Sequence, residues 1–311
     1  MYIDGEFVDS SSGETFDNIN PSTGKVINSV PKATAEDVER ALDAARTAQK
    51  SWKKVPSNER GDYLFKIADA ILEHADELAQ IISEEVGKVL AQAKGEVEAT
   101  AEYFKYYAGR ARKYEGEIIQ SDRPNENILL YKKPLGVVAG ILPWNYPFFL
   151  FARKVAPALL TGNTVVLKPS SSSPNNGLIA AQLLDQVGLP KGVVNIVSGN
   201  REIGDQLARS PKVDMVSITG SVGAGQSVMK AAAENVTKVS LELGGKAPTV
   251  IWKDADLDLT VKSIVDSRVI NSGQVCNCTE RVYVHGDIAD EFYDRITEAM
   301  KKVRYGKSAR Q

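Results

Sequence analysis

The chain has 311 residues, 43% of them hydrophobic and 25% charged, with a formal net charge of -2. That apolar share can fill a core and excludes intrinsic disorder, while 24 glycines and 13 prolines exclude collagen-like and linker-dominated classes. The near-neutral balance gives no support for a nucleic-acid surface or a polybasic membrane anchor, and the length predicts two domains or one large one.

Residues 1–5 (MYIDG) lack the basic and apolar regions of a signal peptide, so the expected location is cytoplasmic. Through residue 25, short alternating runs broken by turn residues (10–13 and Asn20-Pro21) predict strands at an edge. Thr34 and Asp37 mark a helix start, followed by Val38, Ala41, Leu42 and Ala45 at helical spacing. Ser57 is the expected cap of a longer second helix whose apolar face is Leu64, Ile67, Ala68, Ile71, Leu72 and Leu78. A third helix is predicted over about 91–113, ending near Glu115-Gly116, and a hairpin extension over 117–133. Residues 134–152 carry no charge and approach membrane-spanning length. Pro143, Asn145 and Pro147 interrupt their middle, however, which predicts a buried strand, a tight turn and a helix start.

From there strands and helices alternate. Apolar, β-branched runs fall at 137–142, 164–167, 193–197, 215–218 and 238–241, with helical windows at 148–160, 175–187, 202–208 and 223–233. This is the pattern of an α/β fold with a parallel, Rossmann-type sheet covered on both faces. Ligands bind such sheets beyond the carboxyl ends of the strands, so the loops to inspect are 143–147, 168–173, 198–200, 219–225 and 242–246. A strand (248–252), a helix (257–271), a strand (281–285) and a helix (288–303) complete the chain, a thin basis for an independent layer. The chain is expected to divide into 1–243 and 244–311, the latter the start of a second, incomplete α/β domain.

The chemistry-bearing residues lie in those loops. Gly220-Ser221-Val222-Gly223-Ala224-Gly225 places a hydroxyl and backbone donors at a helix start, where phosphate is welcome. Its glycine spacing departs from the dinucleotide fingerprint, so a simple strand-to-helix turn fits equally well. Cys276 sits in a polar loop, which favours reactivity over the burial usual for an isolated cysteine. Two cysteines separated by one residue build neither a secreted disulfide framework nor the usual C-x-x-C redox motif. His74 and His285 offer no zinc spacing and no triad, so no metal is expected. Glu242 begins a glycine-rich turn and is either a solvated loop carboxylate or a general base. Asn145, stiffened between Pro143 and Pro147, is either a fixed oxyanion donor or an amide satisfying its own turn.

Taken together, Pro143-Trp144-Asn145-Tyr146-Pro147, Lys168-Pro169-Ser170, Thr219-Gly220-Ser221, Glu242-Leu243-Gly244-Gly245-Lys246 and Gly273-Gln274-Val275-Cys276 resemble the aldehyde dehydrogenase superfamily in order and spacing, over essentially the whole chain. Residues 114–124 and 266–278 resemble its bacterial lactaldehyde/glycolaldehyde branch. The resemblance implies that Cys276 is the nucleophile, forming a thiohemiacetal and then a thioester from a small aldehyde. It further implies that Asn145 holds the oxyanion with the Cys276 backbone N–H, and that Glu242 activates water to release the acid. Leu142, Pro143, Trp144, Lys168, Pro169, Ser170, Ser171, Gly220, Ser221 and Leu243 would bind the cofactor, NAD or NADP. Arg153 and Asn277 would face the substrate. Many NAD-preferring members carry Glu where this chain has Ser171, so the barrier to NADP is weakened. The family's members are homo-oligomers, dimers or tetramers, and continue for well over a hundred residues past this point. The resemblance therefore also admits a second reading, a C-terminally truncated fragment that retains only dinucleotide binding or subunit association. Neither a nucleic-acid nor a membrane partner is expected.

Overall fold

The computed structural model describes residues 1–306; residues 307–311, assigned above to the second domain, lie outside the described residues. The chain opens with four strands: β1 (Tyr2–Ile3), β2 (Glu6–Phe7), β3 (Thr15–Ile19) and β4 (Val26–Pro31). Helix α1 (Ala35–Trp52) starts where expected. Thr34 Oγ1 accepts from the Asp37 N–H at 3.3 Å, and the Asp37 carboxylate accepts from the Thr34 N–H at 2.9 Å. The same carboxylate accepts from the Ser11 N–H, tying the turn after β2 to the helix. Burial alone would raise the Asp37 pKa, but the Thr34 and Ser11 donors hold it below the usual carboxylate range.

The expected long second helix is two helices, α2 (Ser57–Glu73) and α3 (Ala75–Val86). His74 stands between them at φ -101°, ψ 19°, outside the helical well, and Asp76 and Glu77 favour a fresh N-terminus there. Leu78 therefore belongs to α3, and Leu72, expected on the apolar face, is 39% exposed. Ser57 is the first helical residue and not the cap, a position taken by Pro56. Helix α4 (Leu90–Gly109) ends four residues before the predicted limit and passes through a short 3-10 turn (Ala111–Lys113). Strands β5 (Glu117–Gln120) and β6 (Asn127–Leu130) form the expected antiparallel hairpin, with every residue of both strands exposed.

The alternating region gives β7 (Val137–Ile141), α5 (Pro147–Leu160), β8 (Thr164–Lys168), α6 (Asn175–Gln186), β9 (Val194–Ile196), α7 (Arg201–Arg209), β10 (Met215–Gly220), α8 (Val222–Ala233) and β11 (Lys238–Leu243). The sheet order is β11-β10-β7-β8-β9-β1-β2. Pairs from β11 to β9 are parallel, and β1 and β2 add an antiparallel edge, as the N-terminal alternation predicted. Period-2 alternation divides the core. Val138, Val165, Leu167, Val194 and Ile196 pack with α2, α4, α5 and α6, whereas Val137, Ala139, Val166, Val216 and Ile218 pack with α1, α7 and α8.

The last two strands of this region run longer than their apolar runs. Pairing of Thr219 with Glu242 and of Gly220 with Leu243 carries the ladder two residues onward. The loop expected over 219–225 is thereby reduced to Ser221, and Glu242 stands on a strand and not at the start of a turn. Beyond it come β12 (Pro248–Ile251), α9 (Leu257–Val269), β13 (Arg281–Val284) and α10 (Ala289–Lys301). β12 and β13 pair in parallel over a small core of Ile251, Val261, Ile264 and Phe292, leaving Val250, Trp252 and Tyr283 exposed. Among the described residues no helix is long and apolar enough to cross a membrane.

Candidate active site

The strand order reverses at β7: β8 and β9 extend to one side of it, β10 and β11 to the other. Such a switch point opens a crevice at the carboxyl ends of the two strands beside it. Leu142, Pro143 and Trp144 leave β7 there, and Ser221 leaves β10. The Leu142 N–H donates to the Lys168 carbonyl at 3.0 Å, so the two neighbouring strand exits are joined.

The glycines of the 220–225 segment now separate by role. A Cβ on Gly225 would lie 2.6 Å from the Leu243 side chain, so this glycine serves close packing of α8 on β11. A Cβ on Gly223 would meet nothing within 4 Å, which leaves the first turn of α8 open to a ligand. Ser221 caps that turn, its Oγ accepting from the Ala224 N–H at 3.2 Å.

Lys168 ends β8 as a buried ammonium, its pKa pushed down to about 8 by burial. Among the described residues its Nζ donates to the carbonyl of Pro169 at 2.9 Å. Pro169 is gripped by α6, where a Cβ on Gly177 would come within 2.3 Å of it. Ser170 closes the turn through its carbonyl, which accepts from the Ser173 N–H at 3.2 Å. Ser171 is exposed and lines a cavity of about 410 Å³ with Trp144, Ser172, Gln274 and Glu85.

The second group of residues meets at the Asn145 turn. Asn145 Nδ2 donates to the Gln274 carbonyl at 2.8 Å, and Asn145 Oδ1 accepts from the Tyr146 N–H at 3.1 Å. The turn is thus fixed, and it is fixed to the loop that carries Cys276. Cys276 is exposed; Cys278 is 4% exposed, its thiol donating to the Gly273 carbonyl at 3.2 Å with Arg268 3.5 Å away. A Cβ on Gly245 would sit 3.8 Å from the Cys276 carbonyl oxygen, so the chain leaving Glu242 and Leu243 arrives beside the cysteine loop. Burial, with the charges of Glu96 and Cys276 nearby, pushes the Tyr146 hydroxyl up to about 12. Arg153 and Asn277 are both exposed and, among the described residues, make no hydrogen bond to the Asn145 turn.

Several charged groups around this site escaped the sequence reading. Lys88 and Glu96 form a fully buried ion pair under the turn. Burial pushes Glu96 up and Lys88 down, opposed in both by their mutual attraction. Glu96 accepts from the Phe148 and Phe149 N–H groups at 3.0 and 3.1 Å, capping α5. Glu85 does the same for α6, accepting from Asn175 and Asn176, and burial raises its carboxyl to about 7 against those hydrogen bonds. Lys154, beside Arg153, donates to Ser217 and Thr219 at 3.0 and 3.1 Å, and burial lowers it to about 8. The available signal was a charged residue on an otherwise apolar helix face, as Glu96 is between Ala93 and Val97. Among the described residues no cluster of three His, Cys, Asp or Glu is placed to hold a metal.

Comparison with known proteins adds a family. The aldehyde dehydrogenase family pattern matches residues 7–311. The chain is 57% identical to lactaldehyde dehydrogenase of Escherichia coli (strain K12) over 310 residues, 99% of this chain and 65% of that enzyme. It is 44% identical to the D-glyceraldehyde dehydrogenase (NADP(+)) of Thermoplasma acidophilum, over 98% of this chain and 62% of the relative. A crystal structure of lactaldehyde dehydrogenase from Escherichia coli superposes with a TM-score of 0.98 at 56% identity, covering 100% of this chain and 65% of that one. The chain therefore spans just under two thirds of the length of these relatives.

Proposed function

The chain belongs to the aldehyde dehydrogenase family, and from that premise we propose that it oxidises a small aldehyde, of lactaldehyde or glycolaldehyde type, to the carboxylic acid with NAD or NADP. The observation that carries this reading is the hydrogen bond from the Asn145 amide to the carbonyl of Gln274, two residues before Cys276. It joins an amide donor and a thiol that lie over a hundred residues apart in sequence.

The proposed roles are those that the family resemblance implies, and this hydrogen bond supports the pairing of Asn145 with the Cys276 loop. Cys276 Sγ, as thiolate, forms a bond to the aldehyde carbon, and the carbonyl oxygen becomes an oxyanion. An amide has two N–H donors; Asn145 spends one on Gln274 and keeps one for that oxyanion, alongside the Cys276 N–H. Lys168 offers its ammonium to ribose hydroxyls, Pro169, Ser170 and Ser171 are assigned to the same part of the cofactor, and the open first turn of α8 with Gly220 and Ser221 receives phosphate. Leu142, Pro143, Trp144 and Leu243 flank the far end of the dinucleotide. When bound, that group supplies the hydride acceptor. Glu242 then takes a proton from the water that cleaves the Cys276 thioester, which frees the acid and restores the thiol. Arg153 and Asn277 are assigned to the substrate side, where a cation suits a hydroxylated or acidic product. In this division residues 1–243 hold the cofactor and residue 244 onward begins the catalytic unit.

The purified chain is expected to reduce both cofactors with lactaldehyde, with kcat/KM values for NAD and NADP within a hundredfold, because Ser171 places no carboxylate against a 2'-phosphate. A hundredfold gap corresponds to about 2.7 kcal/mol; a larger one would end the claim of relaxed cofactor choice. Cys276→Ala should show no turnover with either. Turnover that survives in that variant would overturn the assignment of the nucleophile.

A second reading, dinucleotide binding and subunit association without turnover, is favoured by the apolar surface on the β5–β6 hairpin, where Ile118 is 80% exposed, and by exposed Val250 and Trp252. It predicts NAD binding with no aldehyde-dependent reduction.

A further inference from the structure

Three polar side chains stand in or just before α4: Lys88, two residues ahead of the helix, and Gln92 and Glu96, one helical turn apart within it. All three reach segments distant in sequence. Lys88 Nζ donates to the Asn145 carbonyl at 3.0 Å and lies 3.4 Å from the centroid of the Tyr146 ring. Glu96 pairs with Lys88 and accepts from the N–H groups of Phe148 and Phe149. Gln92 Oε1 accepts from the Asn271 N–H at 2.9 Å, and Asn271 Nδ2 donates to the same Asn145 carbonyl at 3.2 Å.

The segment that Gln92 holds is strained. Asn271, Ser272 and Gly273 stand consecutively at φ 46°, 56° and 76°, in the left-handed region that only glycine adopts freely. Such backbone persists only where its surroundings fix it, and here Gln92 of α4 holds the Asn271 N–H while the Gln274 amide donates to the Asn271 carbonyl at 3.0 Å. Three residues beyond Gly273 is Cys276.

We propose that Lys88, Gln92 and Glu96 act as a positioning brace that sets the distance and orientation between the Asn145 amide and the Cys276 thiol. None of the three touches the reacting atoms. The brace acts through Asn145 and Asn271, and it rests on the reading of Asn145 as oxyanion donor and Cys276 as nucleophile given above. A displacement of about 1 Å in such a pair lowers a rate by roughly a hundredfold, although the altered residue lies elsewhere.

The test uses two reactions of Cys276 with different needs. In acylation by p-nitrophenyl acetate an S–C bond forms, the ester C–O bond breaks and nitrophenolate leaves through an oxyanion that Asn145 would stabilise. Alkylation by iodoacetamide displaces iodide and passes through no oxyanion. Gln92→Met removes the acceptor for Asn271 while keeping a good helix former. Relative to the parent, Gln92→Met is expected to slow acylation by about 10- to 100-fold and alkylation by less than about threefold. Gln92→Glu, which keeps an acceptor oxygen, should recover acylation to within about threefold of the parent. Asn145→Ala should slow acylation by about a hundredfold or more. The double variant should then fall no more than about threefold below Asn145→Ala alone, since both changes remove one effect. Thermal scans of each variant report folding, and Gln92→Ala repeats the test if the Met variant unfolds.

Acylation by Gln92→Met at the parent rate, beside a slow Asn145→Ala, would overturn the brace and leave the oxyanion role standing. Fully additive losses, or equal slowing of alkylation and acylation, would also overturn it. An Asn145→Ala variant that acylates normally would remove the reading on which the brace rests.

Discussion

Glu242→Gln is expected to yield a first turnover of reduced cofactor and then stall, with Cys276 accumulating as the acyl thioester. The side chain stands at the penultimate position of β11, exposed, and the chain then turns through Gly244 and Gly245 to pass beside the Cys276 carbonyl. A glutamine there keeps the shape but cannot take a proton from water. Loss of a positioned general base lowers a step by about 10²- to 10⁴-fold, so steady-state turnover should fall by at least about a hundredfold while the initial burst persists. Rapid-mixing measurement of the burst, with the intact mass of the protein recorded after it, checks both parts. Steady-state turnover within tenfold of the parent, with no acyl adduct, would show that another group activates the water.

Lys88→Met should be among the most destabilising single changes in the chain. The Lys88 and Glu96 side chains are both fully buried, and removing the ammonium strands a carboxylate under the Asn145 turn. Breaking one side of a buried pair costs about 3–5 kcal/mol. Glu96 retains the Phe148 and Phe149 N–H donors, so its loss of the cation is not its loss of every partner. Adding Glu96→Gln to Lys88→Met removes the stranded charge while keeping an acceptor for those donors, and should recover at least about 1 kcal/mol. Urea unfolding of the three proteins measures this. A loss below about 1 kcal/mol in Lys88→Met would mean that the buried pair contributes little beyond an apolar filling.

These two residues also mark how far the sequence could be read. Glu242, Asn145 and Cys276 stood out as candidates because each carries its own local signal: glycines close behind a carboxylate at a strand's end, two prolines around one amide, a cysteine among polar residues. The sheet was legible for a similar reason, since its buried strands are continuous apolar runs. Thr34 and Asp37 announced α1 because a capping box is a contact over three residues. Illegible features depend on partners far along the chain. Lys88 and Asn145 are 57 residues apart, Gln92 and Asn271 179. No local pattern marks such a pairing; only a charge on an apolar helix face hints that something must meet it.

The misread boundaries have the same origin. The break at His74 is invisible to apolar periodicity, because Leu78 falls at helical spacing from Leu64 and Ile71 whether or not the helix is continuous. The extension of β10 and β11 through Gly220 and Leu243 comes from the neighbouring strand's hydrogen bonds, not from their own composition. The 220–225 glycines could be divided only once Leu243 was seen against Gly225 and empty space beside Gly223.

The central claim is that this chain folds into a dinucleotide-binding sheet with the reacting loops assembled at its switch point. A thermal unfolding scan of the purified 311-residue chain, with and without saturating NAD, tests it most directly. Binding to the native state at a hundredfold excess over the dissociation constant stabilises it by about 2.7 kcal/mol. One cooperative transition that NAD moves upward by several degrees is expected. A broad transition indifferent to NAD would contradict it.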